Sequence, residues 1–362
     1  MRTPKIPRHR NTFNFKSKGV AFSTSLSYNQ LTIIFQIYFS DSFQSTFHTF
    51  QSNTLPKKGV PMNYFEFVED VCEQCNFLLK SNVKASIHQT LKNNSTDRIG
   101  IMLTDASTNI HPTIYLEEFY QQYLDGRDTF DIATNITHLY SEIRFEECWN
   151  TNQILDFEIA KSRIAFKLIH FDKNQRLLKD IPHLKFLDLA IVFYILLDQT
   201  EKGTASVLIT HDMLKHWQQS LMKIYCYAAT NTPALLTAEL MPMNDVIVEL
   251  LGVTSDAYVP EDENHMYILS NELRHFGAAC ILYDPVLEDI SKVLEDDFYV
   301  LPSSIHEVII LSAKHAPSQT DLDEMITEIN NTQVADEEIL SDHAYYYSRK
   351  QKRLLLCSYS HK

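Results

Sequence analysis

A nearly uninterrupted apolar run in the middle of the chain, Phe186–Leu197, limits the folds that this sequence can form. Only Asp188 breaks the run, so the segment has no polar face to turn towards water. It must be buried on every side, as a central strand or as a core helix. A turn over residues 198–203 and a second strand-like segment, Thr204–Ile209, follow directly. We therefore interpret the two segments as a β-hairpin in the interior of the fold.

The chain before this hairpin predicts an N-terminal helix, a second β-hairpin and further helices. Apolar residues recur at three- and four-residue steps along residues 63–80, which is typical of a helix with one apolar face. Strand-like alternation over 83–89 and 98–103 encloses a turn cluster at 93–97 and predicts the hairpin. The further helices are predicted over 117–124, 128–143 and 211–230.

The C-terminal part is set off by an acidic segment, residues 255–265, which we interpret as a linker. Residues 266–344 then follow a β-α-β-β-α pattern, and residues 62–254 form the N-terminal domain. The sequence thus predicts an α+β protein of two mixed modules. Residues 345–362, which include a basic cluster, are expected to form a solvated tail.

The first 61 residues differ sharply from the remainder. They hold eight of the 32 basic residues and one of the 46 acidic residues, and they lack helical or strand periodicity. The codons for residues 57–60 can contain AAGGAG, a bacterial ribosome-binding sequence, just before Met62. We expect Met62 to be the true start and residues 1–61 to be a non-native or disordered leader. A transit peptide is the alternative, and a secretory signal fits less well because its apolar core starts too late.

Residues 62–362 are strongly acidic. Removing the first 61 residues leaves 24 basic and 45 acidic residues, a net charge of −21. Such a surface repels phosphate backbones and anionic lipid headgroups, and no apolar stretch reaches the ~18 residues of a membrane span. The six cysteines are scattered, as in proteins of a reducing compartment. We expect a cytoplasmic protein that binds neither nucleic acid nor membranes.

Glycine is too sparse for the common phosphate-binding loops. The chain has seven glycines, and no two lie within six residues of each other. Loops that cradle phosphates need clustered glycines so that backbone N–H groups can approach the ligand. The sequence therefore predicts no nucleotide cofactor.

Three short motifs are candidates for chemistry. Cys72 and Cys75 have the spacing of half a zinc or redox site, but both fall on the apolar face of the first helix, which favours core packing and no metal. His306–Glu307 follows two serines and invites comparison with a nucleophile and its base. In Asp342–His343 a carboxylate could orient an imidazole. For His306–Glu307 and for Asp342–His343, a structural role is the simpler interpretation.

Several short segments of the sequence resemble one protein family. They are Pro112–Leu116, Phe186–Tyr194, Asn231–Pro233, Phe276–Ala279, Leu301–Val308 and Asn331–Val334. Together, over residues 62–347, the chain resembles a bacterial domain family of unknown function that is common in gut clostridia. The resemblance implies a bacterial cytosolic protein and implies no activity or catalytic residues.

Three functional hypotheses follow. The first is a non-enzymatic interaction or regulatory protein that binds a protein partner, through an aromatic patch near Phe119, Tyr120 and Tyr123. The second is a hydrolase-type enzyme whose site forms only in the fold. Its candidate residues are His306, Glu307, Asp342 and His343. A lesser alternative is an acidic mimic of DNA, which needs its acids in rows along one face.

Overall fold

The computed structural model describes residues 61–108, 111–144, 152–200, 203–251 and 266–356, an α+β protein with antiparallel sheets. The helices are α1 (Tyr64–Leu78), α2 (Glu117–Leu124), α3 (Thr129–Ile143), α4 (Asn152–Leu155), α5 (Phe157–Ala160), α6 (His211–Trp217), α7 (Leu221–Leu235), α8 (Met243–Leu251), α9 (Val286–Leu294) and α10 (Gln319–Thr332). The strands are β1 (Val83–Leu91), β2 (Asp97–Asp105), β3 (Thr113–Tyr115), β4 (Ile164–His170), β5 (His183–Phe186), β6 (Leu189–Thr200), β7 (Gly203–Leu208), β8 (Ala238–Pro242), β9 (Met266–Asn271), β10 (Phe298–Leu301), β11 (Val308–Ser312), β12 (Tyr345–Ser348) and β13 (Arg353–Leu356). Nothing helical among these residues is long and apolar enough to cross a bilayer. The predicted linker at 255–265 and residues 1–60 of the leader predicted over 1–61 lie outside the described residues.

The N-terminal unit is a three-stranded sheet, in the order β1-β2-β3, with helices packed on one face. Asn63 starts α1 because its side chain accepts from the backbone N–H of Glu66, whose carboxylate in turn bonds the Asn63 N–H. The buried side of α1, including Phe67 and Val71, packs on α3 and on this sheet. The predicted first helix and hairpin are confirmed.

The central apolar run forms a strand. Residues 189–200 are β6, which pairs with β4, β5 and β7 in one antiparallel sheet. Leu187 turns the chain into β6 in a left-handed conformation, with φ of 56°. Segment 164–171, whose pattern fits helix and strand equally, supplies β4, and its Phe166 is buried against the central core.

The third sheet has six strands in the order β13-β12-β10-β11-β9-β8. Residues 345–356, expected to belong to a solvated tail, supply β12 and β13. Tyr345 and Tyr347 explain the difference, because they alternate along β12 and are both buried, with the Tyr347 ring stacked 4.8 Å from that of Phe298. Strand β8 precedes residues 255–265 but pairs with β9 beyond them. The sheet therefore takes strands from both sides of the predicted linker.

The helix predicted over residues 211–230 is two helices. Gln218 adopts a left-handed conformation with φ of 54° and ends α6, and the Ser220 side chain then caps α7. Helix α7 also continues past the expected stop, through Pro233, to Leu235. A proline near the C-terminal end breaks few hydrogen bonds there, and the next backbone contact, from the Leu236 N–H to the Thr232 carbonyl, is intact.

The tip of the β1–β2 hairpin, residues 93–95, docks on two distant segments. Asn94 has a φ of 58°, and its backbone N–H and side-chain Oδ1 make a reciprocal pair of 2.8 Å hydrogen bonds with the fully buried Asn174. Asn94 Nδ2 also donates to the carbonyls of Asp336 and Ile339. The hairpin tip thus ties the N-terminal unit to the central sheet and to the C-terminal part.

Candidate functional site

The four candidate residues of the hydrolase hypothesis lie at two ends of one paired stretch. Segments 302–304 and 339–341 run antiparallel, with hydrogen bonds from Leu340 N to Ser303 O and from Ser341 N to Pro302 O. Residues 306–307 extend beyond one end and residues 342–343 beyond the other. At ~3.3 Å per residue the two pairs are about 15 Å apart along the strands. The fold does not bring them within hydrogen-bond reach of each other.

His306 uses both ring nitrogens to hold the structure. Its Nδ1 accepts the backbone N–H of Phe276 at 3.4 Å, so the ring proton lies on Nε2, which is 3.5 Å from Glu338 Oε1. The hydrogen bond from His306 holds the pKa of Glu338 below its usual range, against the effect of desolvation. An imidazole engaged on both sides is a positioning group rather than a free base.

Glu307 is the neighbour of His306, and it is half-buried. Desolvation raises the pKa of this carboxyl, and the positive charge of Arg274 opposes the rise. Among the described residues no group makes a short hydrogen bond to it that would mark a catalytic pair.

His343 is oriented by a carboxylate, but not by its neighbour Asp342. Its Nδ1 lies 3.2 Å from Oδ2 of Asp323, whose side chain is 7% exposed while that of His343 is 49% exposed. Asp342 faces Lys173 and Asn330, at 3.1 and 2.8 Å. Desolvation acts to raise the pKa of Asp342, but these two partners outweigh it and lower the pKa.

The Cys72–Cys75 pair lies on the inner side of α1. Cys75 is fully buried, and desolvation raises the pKa of its thiol to about 12. Burial raises the pKa of Cys72 as well. Both thiols therefore stay protonated near neutral pH, which is unfavourable for a nucleophile or a metal ligand. Within the described ranges, no group of three or more histidine, cysteine or acidic side chains has a metal-binding arrangement.

Sequence reasoning missed Lys167, which lies in the middle of β4. Alternate residues Phe166 and Leu168 face the central core, so Lys167 projects from the opposite face of the sheet. Its Nζ lies 3.9 Å from the centre of the Phe276 ring. In the part of the chain that the structure describes, no carboxylate pairs with it. A lysine at the centre of an otherwise apolar strand was the available signal.

Phe276 is held over Lys167 by a strained loop. Phe276 and Arg274 both have a left-handed backbone, with φ of 55° and 50°. The buried side chain of Asn271 fixes the loop, because its Oδ1 accepts from two backbone N–H groups and its Nδ2 donates to the His275 carbonyl. The geometry is therefore built in advance of any ligand.

Two further side chains complete this site. Lys92 directly follows β1, and its Nζ lies 4.3 Å from the centre of the Tyr115 ring. It is close enough to Lys167 to lower the pKa of that side chain. The His275 ring lies 3.9 Å from that of Phe276 and 5.4 Å from that of His306. We call Lys92, Lys167, His275 and Phe276 the Lys167 cluster.

Two side chains of the Lys167 cluster have pKa values below those of free side chains. Desolvation, with the positive charge of Lys92, lowers the pKa of Lys167 to about 8. Desolvation also lowers the pKa of His275 to about 4, and the positive charge of Lys167 adds to the effect. At neutral pH the cluster therefore holds a half-buried ammonium beside a neutral imidazole.

A broad surface depression of about 870 Å³ lies elsewhere, between the segment before β5 and the α6–α7 junction. Basic and acidic side chains line it, including Lys179, Asp180 and Asp212, together with the polar residues 218–220 between α6 and α7. It contains no predicted candidate and no member of the Lys167 cluster. An open, solvated depression of this kind offers less discrimination than buried groups with fixed geometry.

Comparison with known proteins gives one match. A family model described as "Family of unknown function (DUF5688)" matches residues 64–349. No curated protein and no solved structure matches the chain. The match extends from the start of α1 to the end of β12, and so includes both the Lys167 cluster and the four candidate residues.

Proposed function

The chain belongs to the DUF5688 family, whose function is unknown, and from that premise we propose that it is a non-enzymatic regulatory protein that binds a small anionic molecule at the Lys167 cluster. The observation that carries the proposal is the half-buried ammonium of Lys167, which has no acidic partner among the described residues. The expected ligand carries a carboxylate or phosphate group.

An unpaired ammonium away from water is costly. Desolvating it disfavours the charged form, and the aromatic face of Phe276 offsets only part of that loss. A bound anion would supply the missing opposite charge, and a second cation, Lys92, would strengthen the attraction. An apolar wall with a few fixed polar groups is also the usual composition of a small-molecule site.

The proposed site has binding groups but lacks a catalytic set. His306 is engaged at both nitrogens, and the low pKa of His275 makes it a weak base. Glu338 is already paired with His306. Because these groups are either already paired or weakly basic, the site favours ligand binding over proton transfer.

Replacement of Lys167 by methionine is expected to abolish anion binding. Inorganic phosphate, succinate, citrate and ATP are suitable probes, with the melting temperature of the whole chain as the readout. At least one probe should raise the melting temperature of the wild type in a saturable way, because ligands that bind the folded state stabilise it. Lys167→Met should remove that rise.

Lys185→Met is the matched control for this experiment. Lys185 is exposed on β5 and lies 4.6 Å from the Phe171 ring, so it shares the lysine-over-phenylalanine contact without the burial. It should respond to anions like the wild type. Equal responses from all three proteins, or none from the wild type to any anion in a wider metabolite panel, would refute the proposal.

Without ligand, the same substitution should stabilise the protein at neutral pH. Because the folded-state pKa of about 8 is below the usual lysine pKa of 10.5, the unfolded chain binds more protons between these pH values. Lys167 therefore lowers the free energy of unfolding most below pH 8, and this loss shrinks as the pH rises towards 10.5. Denaturant unfolding in an anion-poor buffer should show Lys167→Met more stable by up to ~3 kcal/mol at pH 7, with the difference shrinking by pH 10. A constant difference would contradict the electrostatic argument.

One observation favours the alternative, a hydrolase-type enzyme. The buried Asp323 lies against Nδ1 of the half-exposed His343 and so orients its ring. Under this alternative, His343→Ala should slow hydrolysis of p-nitrophenyl acetate while His216→Ala, which removes an exposed histidine on α6, should not. Equal rates in both variants would argue against it.

A further inference from the structure

Strand β1 is the outer strand of the N-terminal sheet, and much of its free edge is open. Its partner is β2 on one side, and no strand pairs with its other side among the described residues. Such an edge presents unpaired N–H and C=O groups that another extended chain can bind. Which groups are free depends on the direction in which each residue faces.

The hydrogen bonds of β2 fix those directions. Leu103 N donates to Pro112 O and Ile99 O accepts from Leu116 N, so Ile99 and Leu103 face β3. Alternate residues face opposite ways in an antiparallel sheet. Since Leu103 lies opposite Ala85 and Ile99 lies opposite Gln89, the odd-numbered residues of β1 direct their backbone groups away from β2, to the free edge.

One side chain already occupies part of this edge. Asn76, on α1, donates from Nδ2 to the Ala85 carbonyl and accepts from the Ala85 N–H at Oδ1, both at 3.0 Å. It imitates the peptide group of a neighbouring strand. Beyond it, the backbone groups of Ile87 and Gln89 have no partner in the described part of the chain. The Ile87 side chain is 48% exposed.

The side chains along the edge indicate the chemistry of the occupant. Lys84, His88 and Lys92 share one face of the extended segment and are basic, in a chain that is acidic as a whole. A second copy is disfavoured, because an antiparallel pair centred on His88 would place Lys84 opposite Lys92 of the other chain. Acidic side chains at alternate positions of a partner strand would instead form cross-strand ion pairs.

We propose that β1 binds an extended, acidic segment of a partner protein, which adds a fourth strand to the sheet at Ile87 and Gln89. The occupant needs carboxylates on the face shared by Lys84, His88 and Lys92, and apolar side chains on the face shared by Ile87. This interface shares Lys92 with the Lys167 cluster but does not include Lys167, His275 or Phe276.

The test uses two peptides of the same length, one alternating Glu with Val and the other alternating Lys with Val. Fluorescence anisotropy with the full chain should show binding of the Glu peptide at least tenfold tighter than that of the Lys peptide. Amide exchange should slow at Ile87 and Gln89. Equal affinity, or protection confined to other residues, would overturn the proposal.

Two variants separate backbone pairing from simple charge attraction. Gln89→Pro removes an N–H that faces the free edge and breaks no bond to β2, so it should weaken binding of the Glu peptide at least tenfold. Gln89→Ala keeps the N–H and should bind as the wild type does. Unchanged binding in Gln89→Pro would overturn strand addition, as would concentration-dependent dimerisation through this edge. Lys167→Met should leave peptide binding intact, so failure of the anion proposal is distinguishable from failure of this one.

Discussion

Replacement of Gly277 by alanine is expected to destabilise the protein by at least ~3 kcal/mol. A Cβ at this position would lie 2.1 Å from Ser270 Oγ, 2.5 Å from His306 O and 2.7 Å from Asn271 N. Two of these three atoms belong to the backbone, so the clash cannot be relieved by rotating a side chain. Displacing Asn271 would also release the loop that holds Phe276 over Lys167.

Gly126→Ala is the matched comparison for Gly277→Ala. Gly126 has a φ of 101°, which a non-glycine residue adopts with strain, but a Cβ there would meet nothing within 4 Å. Its cost should be about 1 kcal/mol. Urea unfolding of both variants measures the difference directly. If Gly277→Ala were as stable as Gly126→Ala, the loop that follows β9 would be able to shift. Phe276 would then be held less firmly than we infer.

Asn94→Ala is expected to cost about 2–4 kcal/mol of unfolding free energy, because it removes the side-chain contacts of the hairpin tip. The fully buried Asn174 would lose one of the two acceptors of its Nδ2, and the carbonyls of Asp336 and Ile339 would lose a donor. Alanine also tolerates the left-handed φ of 58° poorly. Denaturant unfolding of the whole chain is the measurement.

Asn94→Gly separates the two contributions to that loss. Glycine accepts the left-handed backbone but lacks the side chain. It should recover about 1 kcal/mol relative to alanine and remain well below the wild type. If glycine restored full stability, the side-chain hydrogen bonds of Asn94 would contribute nothing, and the hairpin tip would be held by its backbone alone.

The sequence predicted those helices and strands whose buried face is visible in their own pattern of apolar residues. The apolar face of α1 was clear from its period. The apolar run of β6 fits a strand or a buried helix, and the turn and strand-like segment that follow it identified it as a strand. The C-terminal strands were missed because basic residues 349–353 make the segment look solvated, while Tyr345 and Tyr347 reveal burial only through partners such as Phe298. The break at Gln218 was missed because glutamine gives little warning of a left-handed turn.

The candidate site was harder to predict, because its contacts join residues that are far apart in sequence. His343 stands next to Asp342, yet it is oriented by Asp323, twenty residues earlier. Phe276 reaches Lys167 across more than a hundred residues. A motif reports only neighbours along the chain, so the sequence could suggest acid–base residues but not their real partners.

The docking of the hairpin tip also constrains the order of events during synthesis. Asn94 belongs to a hairpin that can form early, since its two strands are adjacent in sequence. Its partners at residues 336 and 339 leave the ribosome some 240 residues later, which at 5–20 residues per second is a delay of roughly 10–50 seconds. Throughout that interval, the polar groups of the tip that later bond those residues must bond water or another molecule. The nascent chain therefore offers this surface to chaperones for longer than any local hairpin requires.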